Sequence, residues 1–291
     1  MNARRSASFF SLFVVIALFP VIANAQTPRA EHVFIISFDG GKPAVMKESD
    51  MPFTMDRAAH GAVTWNAQTV FPSITLISHT SMLTGVGPEK HGVRWNNWSP
   101  DLGLIAVPTA FALAEKAGKS TALIAAKEKF NHLNRPGEIN GFAVIEEKAP
   151  IVAAVAAAYI EKAKPNLCFI HFKDSDSAGH RYGWGSPEQI QSFADEDAGL
   201  KTINDAILSA GIADMSVVIV SADHGGHDKT HGSDSPEDMT IPWIVWGKGV
   251  KSGTTIEVPV TTYDTAATAL WLLGIAIPTE WDGKPVEAAF E

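Results

Sequence analysis

His32-Val33-Phe34-Ile35-Ile36-Ser37-Phe38-Asp39-Gly40 is the stretch that decides the fold. From Val33 to Phe38 the residues are β-branched or aromatic, interrupted only by Ser37. Such a run, without polar alternation, reads as a strand buried on both faces of a sheet. Asp39-Gly40 then stops it with a carboxylate and a turn residue. The same grammar recurs at Ser120–Ala125, Asn166–Phe172, Met215–Ser221 and Ile241–Trp246. Helical periodicity fills the intervals over Pro108–Ala117, Ala149–Ala163, Pro187–Ala210 and Thr265–Leu273, with Gly211 and Gly274 as C-terminal caps of the last two. Strands alternating with helices specify an α/β protein with a mostly parallel central sheet and helices on both faces. With no repeat or linker in view, residues 26–291 are expected to form a single domain.

Composition narrows the class. The chain has 291 residues, 46% hydrophobic and 19% charged, which excludes a disordered or collagen-like protein. A formal charge of −9 without a Lys/Arg-rich run excludes a nucleic-acid polymer as partner. One cysteine, Cys168, permits neither an internal disulfide nor a cysteine zinc site. Ahead of the first strand, Arg4 and Arg5 precede an apolar run from Phe9 to Ala23 that closes on Ala23-Asn24-Ala25. That is the form of a signal peptide over residues 1–25, and the run is shorter than the roughly 20 residues a bilayer span needs. The alternative is an uncleaved anchor. The mature chain is expected to be periplasmic or secreted, with no membrane span after cleavage.

Polar residues gather where these strands end: Asp39 after the first, Asp174 and Asp176 after the third, Asp223-His224 after the fourth. In open α/β sheets, ligands bind outside the carboxyl ends of the strands. Asp176-Ser177-Ala178-Gly179-His180 sets a carboxylate and an imidazole four residues apart, and Asp223-His224-Gly225-Gly226 sets a second pair among glycines that let the backbone turn tightly. His231-Gly232 follows seven residues later. With Asp39 these make six oxygen and nitrogen ligands, enough for two metal ions and too many for one four-coordinate zinc. Each fragment alone is an ordinary solvated loop; their shared place at strand ends joins them.

A hydroxyl nucleophile is expected from Phe71-Pro72-Ser73-Ile74-Thr75-Leu76-Ile77-Ser78-His79, read as a turn entering a helix that Gly85 ends. A helix N-terminus favours an anion through its free N–H groups and dipole. Ser73, Thr75 and Ser78 are all candidates by chemistry, and any of them could instead merely cap the helix.

Taken in order, Asp39-Gly40, Thr75 with His79 and Thr84-Gly85, Pro88-Glu89-Lys90-His91-Gly92, Asp176…His180, Asp223-His224-Gly225 and His231-Gly232 resemble the type I phosphodiesterase/nucleotide pyrophosphatase family of the alkaline phosphatase superfamily. The motifs run from about residue 32 to 232, and Asp264, Leu272-Leu273-Gly274 and Trp281-Asp282-Gly283 resemble the tail of many superfamily members. The resemblance implies an alkaline-phosphatase-like catalytic domain holding two divalent ions, usually zinc. It implies that Asp39, Thr75, Asp223 and His224 hold one ion, and Asp176, His180 and His231 the other. Thr75 takes the nucleophile's position, and Asn96 that of the asparagine which holds a phosphate oxygen. The implied substrate is a small-molecule phosphate ester or nucleotide, with the diester or pyrophosphate bond cleaved through a phosphothreonine.

Departures from the pattern are Leu76-Ile77-Ser78-His79, where the family commonly has Phe-Pro-Asn-His after the threonine, and a chain short for the family. His227 stands near His231 as a competing ligand. Trp95 and Trp98 flank Asn96 and could stack on an aromatic leaving group or pack as core. A monoester carries one more negative charge than a diester and calls for a nearby cation; Arg94, Lys127, Lys129 and Arg135 are read as solvated or salt-bridged. Alternatives on the same residues are a phosphate monoesterase, a phosphonate hydrolase and a non-catalytic metal-binding protein. A sulfatase is disfavoured because Cys168 lies within a strand run.

Overall fold

The computed structural model describes residues 27–291; the expected signal peptide lies outside them. Among the described residues eight strands form one sheet: β1 (His32–Phe38), β2 (Ala62–Gln68), β3 (Thr121–Ala125), β4 (Gly141–Val144), β5 (Leu167–Phe172), β6 (Ser216–Ser221), β7 (Thr240–Gly247) and β8 (Thr254–Thr255). Their order across the sheet is β4-β3-β5-β1-β6-β7-β2-β8. The first five of that order run parallel, β7 is antiparallel to both neighbours, and β8 pairs parallel with β2.

Nine α-helices lie between the described strands and a tenth follows the last: α1 (Pro43–Glu48), α2 (Pro52–His60), α3 (Thr75–Thr84), α4 (Pro88–His91), α5 (Ala110–Lys116), α6 (Ala149–Ala163), α7 (Asp174–Tyr182), α8 (Pro187–Ser209), α9 (Pro236–Met239) and α10 (Asp264–Leu272). None is long and apolar enough to cross a membrane. Alternate residues of β1 enter opposite cores. Val33 and Ile35 join Met82 of α3, Phe111 of α5 and Leu270 of α10; Phe34 and Ile36 join Met46 of α1, Val152 of α6 and Phe193 of α8. Burying a side chain of this kind stabilises by roughly 1.5–3 kcal/mol, so the central strands are anchored from both faces.

The strand expected at Ile241–Trp246 is β7, and it runs against the parallel direction. A parallel return needs a crossover, usually a helix of a dozen or more residues. Between β6 and β7 the chain is instead committed to the loop bearing Asp223 to His231, and its one helix is the four-residue α9. Strands β2, β4 and β8 go unread in the sequence. β2 mixes buried residues with half-buried and exposed ones, β4 is half-buried throughout, and β8 has two residues, so none presents a continuous apolar run.

Candidate active site

The parallel neighbours β3, β5, β1 and β6 end level with one another, with Ala125 opposite His171, Phe38 opposite Phe172 and Ser37 opposite Ser221. The residues that follow therefore meet along one edge: Asp39 after β1, Asp223 and His224 after β6, and α7, which starts two residues past β5. On α7, Asp176 and His180 share a face as an i,i+4 pair. Helix α3 supplies Thr75 as its first residue, and the loop after β6 supplies His231.

All seven residues expected at the site are brought together, six of them in two groups and Thr75 beside His224. Asp39, Asp223 and His224 offer ligand atoms within 4.8 Å of one another, and so do Asp176, His180 and His231. The two groups touch through His224 and His231, whose rings stack 3.6 Å apart at 12°. Each imidazole donates its Nδ1–H to a backbone carbonyl: His180 to Lys229 at 3.0 Å, His224 to Gly225 at 2.8 Å, His231 to Ser73 at 2.8 Å. That fixes the tautomer and leaves every Nε2 as a bare acceptor. Nε2 of His180 and of His231 face each other at 3.1 Å. Asp39 Oδ1, Asp176 Oδ1 and Asp223 Oδ2 are buried without a hydrogen-bond partner. Convergent bare acceptors of this kind fit divalent metal ions, and zinc in particular binds imidazole and carboxylate. His227 stands apart, bound through Nδ1 to Asp238 at 2.7 Å.

The electrostatics agree. Burial would raise the Asp39 carboxyl, but Lys127, His171 and His224 outweigh it and hold it well below the usual carboxylate range. Burial and the neighbouring Asp39 push Asp223 well above that range. Two buried carboxyls thus compete for too little positive charge. Burial, with His231 adding to it, drives His224 down to about 4 and keeps it neutral, as a metal ligand must be.

Thr75 Oγ1 lies 3.4 Å from His224 Nε2, whereas Ser73 is bonded to the Ser233 carbonyl and Ser78 accepts from Thr69. Only Thr75 among the three candidate hydroxyls faces the ligand groups. Asn96 sits beside it, its Oδ1 accepting from the Leu76 N–H at 3.0 Å and from Lys129 Nζ at 2.9 Å. With its oxygen occupied twice, the amide presents its NH2 group as donor. Trp95 does not form a free platform: it packs on the core and donates through Nε1 to His132 at 3.2 Å. Trp98 is half-buried and meets the His132 ring at 4.5 Å. His132 thus ties down the loop that carries Asn96.

Several residues of the site escape a reading by sequence. Lys127 is salt-bridged, one of the two states expected of it, but its partners place it inside the site. Its Nζ lies 2.6 Å from Asp39 Oδ2 and 2.5 Å from Asp176 Oδ2, bridging one carboxylate of each group. Burial opposes this ammonium, but Asp39, Asp176 and Asp223 together hold its pKa above the ordinary lysine range. Arg94 and Arg135 do behave as expected, paired with Glu89 and Glu138. Beneath the rim, His171 reaches Asp39 Oδ2 at 2.8 Å, and His79 bonds Ser37 at 2.8 Å while approaching Asp223 Oδ2 at 3.4 Å. Trp184 packs against His180 and His231 and donates to the Gly40 carbonyl at 3.2 Å. It also explains Gly226, where an added Cβ would lie 2.1 Å from the Trp184 ring. Gly225 is equally constrained, 2.1 Å from the Glu237 carbonyl oxygen. Neither has positive φ, so these glycines serve close approach rather than a tight turn.

Sheet, helices and rim define the class: the fold is alkaline-phosphatase-like. Human ectonucleotide pyrophosphatase/phosphodiesterase 5 superposes with a TM-score of 0.76 over 89% of this chain and 100% of its own, at 15% identity. A 2-O GAG sulfatase superposes at 0.69 over 89% of this chain and 74% of its own, at 17% identity. At such identities the likeness concerns fold alone, and Cys168, buried within β5, stands away from the rim. The model of the type I phosphodiesterase/nucleotide pyrophosphatase family matches residues 33–110 and 117–238, and the chain belongs to that family. Mouse ectonucleotide pyrophosphatase/phosphodiesterase family member 7 is 22% identical over 239 residues, 74% of this chain and 54% of its own length. Mouse bis(5'-adenosyl)-triphosphatase is 21% identical over 225 residues, 69% of this chain and 48% of its own. The chain thus spans about half the length of these two curated relatives.

Proposed function

We propose that this chain is a metal-dependent hydrolase of phosphate esters that acts through a covalent phosphothreonine on Thr75. The observation that carries this reading is the set of bare acceptors, three imidazole Nε2 atoms and three orphaned carboxylate oxygens, gathered beside one hydroxyl at a helix N-terminus. Asp39, Thr75, Asp223 and His224 would hold one divalent ion, and Asp176, His180 and His231 the other, with zinc the first choice for this donor set. Such ions supply Lewis-acid charge for phosphoryl oxygens and lower the pKa of a nearby hydroxyl.

Thr75 Oγ attacks phosphorus in line, so that a bond to the threonine forms as the bond to the leaving oxygen breaks, and the threonine proton is lost to the departing oxygen or to water. Asn96 Nδ2 and the free N–H groups of the first turn of α3 orient the non-bridging oxygens. Water then cleaves the phosphothreonine and restores the hydroxyl. Phosphodiester and nucleotide pyrophosphate bonds are the first candidates because the family is named for them, and a murine structural relative was solved with AMP. Trp98 is the candidate wall for the leaving group. The reading includes export after removal of residues 1–25; a mature protein that still began at Met1 would overturn that part.

The test is hydrolysis of aryl phosphate esters by zinc-loaded protein beside Thr75→Ala, with mass spectrometry for phosphothreonine. Turnover lost in the variant at unchanged metal content is the expected result. Full turnover in Thr75→Ala would end the assignment, and bound metal without turnover in the parent would mark a binding protein.

A further inference from the structure

Against the diester preference that the family name suggests, we infer that the site is charged for a dianionic terminal phosphoryl group, that of a phosphate monoester, and that Lys129 sets this preference; the inference rests on phosphoryl transfer at Thr75. The two lysines of the segment after β3 do different things. Lys127 is committed to Asp39 and Asp176. Lys129 is half-buried, yet it forms no ion pair within 4.0 Å among the described residues, and its hydrogen bond goes to a neutral amide oxygen. Removing a cation from water without pairing it is costly.

The position of the unpaired charge gives it a use. Asn96 Oδ1 is shared between Lys129 Nζ and the Leu76 N–H, one residue after Thr75. An ammonium, an amide NH2 and the first turn of α3 therefore stand side by side where the non-bridging oxygens of a phosphoryl group would lie. A diester brings one negative charge and carries an ester group on the further oxygen. A monoester at neutral pH brings two charges and three oxygens free to accept. Both esters can accept a charge-assisted bond from Lys129, but the dianionic monoester, with a third free oxygen, gains more from it, and bonds of this type are about twice as strong as neutral ones. Lys129 would thus serve substrate selection, whereas Lys127 holds the ligand carboxylates in place.

The experiment compares kcat/KM on 4-nitrophenyl phosphate and on methyl 4-nitrophenyl phosphate for the zinc-loaded parent, Lys129→Met and Lys129→Arg, with Thr75→Ala as control. Metal content is measured in every sample. The parent is expected to favour the monoester. Lys129→Met should lower both activities but cut the monoester-to-diester ratio by about 10- to 100-fold, and Lys129→Arg should restore most of that ratio. Inhibition by orthovanadate should weaken alongside the monoester activity. A parent that favours the diester, or a ratio unchanged in Lys129→Met at full metal content, overturns the inference while leaving Thr75-dependent hydrolysis standing. Turnover of neither ester, with no phosphothreonine, overturns the hydrolase reading and this inference with it.

Discussion

The two ligand groups meet across one pair of stacked imidazoles, yet they are made of different material. Asp39, Asp223 and His224 come from the ends of central strands, are fully buried, and have His79, His171 and Lys127 against them. Asp176 and His180 come from a short helix and His231 from a loop, and the His180 side chain is 45% exposed. The same ligand types thus face two dielectrics. The core that holds the strands also holds the first group, whereas a short helix and a loop hold the second, in which Asp176 and His231 are covered and His180 faces solvent.

The largest expected effect separates the groups directly. His224→Ala should lose metal and also destabilise the fold by about 2–5 kcal/mol, the range for emptying a buried position. His180→Ala should keep the melting temperature and one of two metal equivalents, as read by calorimetry and plasma mass spectrometry. Equal losses in both variants would erase the distinction. A smaller effect is expected one layer out. His171→Asn frees Asp39 Oδ2 of its imidazole, and such outer partners are worth about 10- to 100-fold in metal affinity. Chelator titration should show the loss in one metal equivalent only; a loss in both would mean that the groups load as a unit.

The smallest effect concerns His227, which stands outside both groups. Asp238 raises the pKa of His227, while His227 and Ser233, against burial, hold Asp238 low. The raised imidazole contributes stability below its unfolded pKa of about 6.5 and loses that contribution as pH rises through its folded value. The depressed carboxyl contributes above its ordinary 3.8 and loses its share as pH falls through its folded value. The pair therefore helps in mildly acidic solution. His227→Gln should lower stability there by less than about 1 kcal/mol, because the imidazole is solvated and screened, and should leave both metal equivalents bound. Loss of an equivalent would return His227 to the ligands.

Much of the candidate site is legible in the sequence because the candidate ligands sit at fixed offsets from strands that announce themselves. β1, β5 and β6 are continuous apolar runs, and Asp39, Asp176 and Asp223 follow within a few residues. Lys127 obeys the same rule, two residues past β3 as Asp223 is two past β6. Its sign hides it, since a search for ligands passes over a cation. His171 lies inside an apolar strand and His79 between Ser78 and Thr80 on α3, and they meet Asp39 and Asp223 only through tertiary contact, which no local spacing encodes. Trp95 looks like a stacking platform from its neighbour Asn96, and only the fold brings His132 to its indole N–H.

The reversal of β7 has a geometric consequence for what can be attached to this molecule. Gly247, where β7 ends, lies beside Val217 at the start of β6, and His32, where the chain enters the sheet, lies beside Ser216. Both points are on the edge opposite the rim. A tether joined ahead of His32, or a fusion inserted in the turn after Gly247, leaves from the back of the sheet. A protein immobilised by either route would present the mouth of its site outward, to whatever diffuses past.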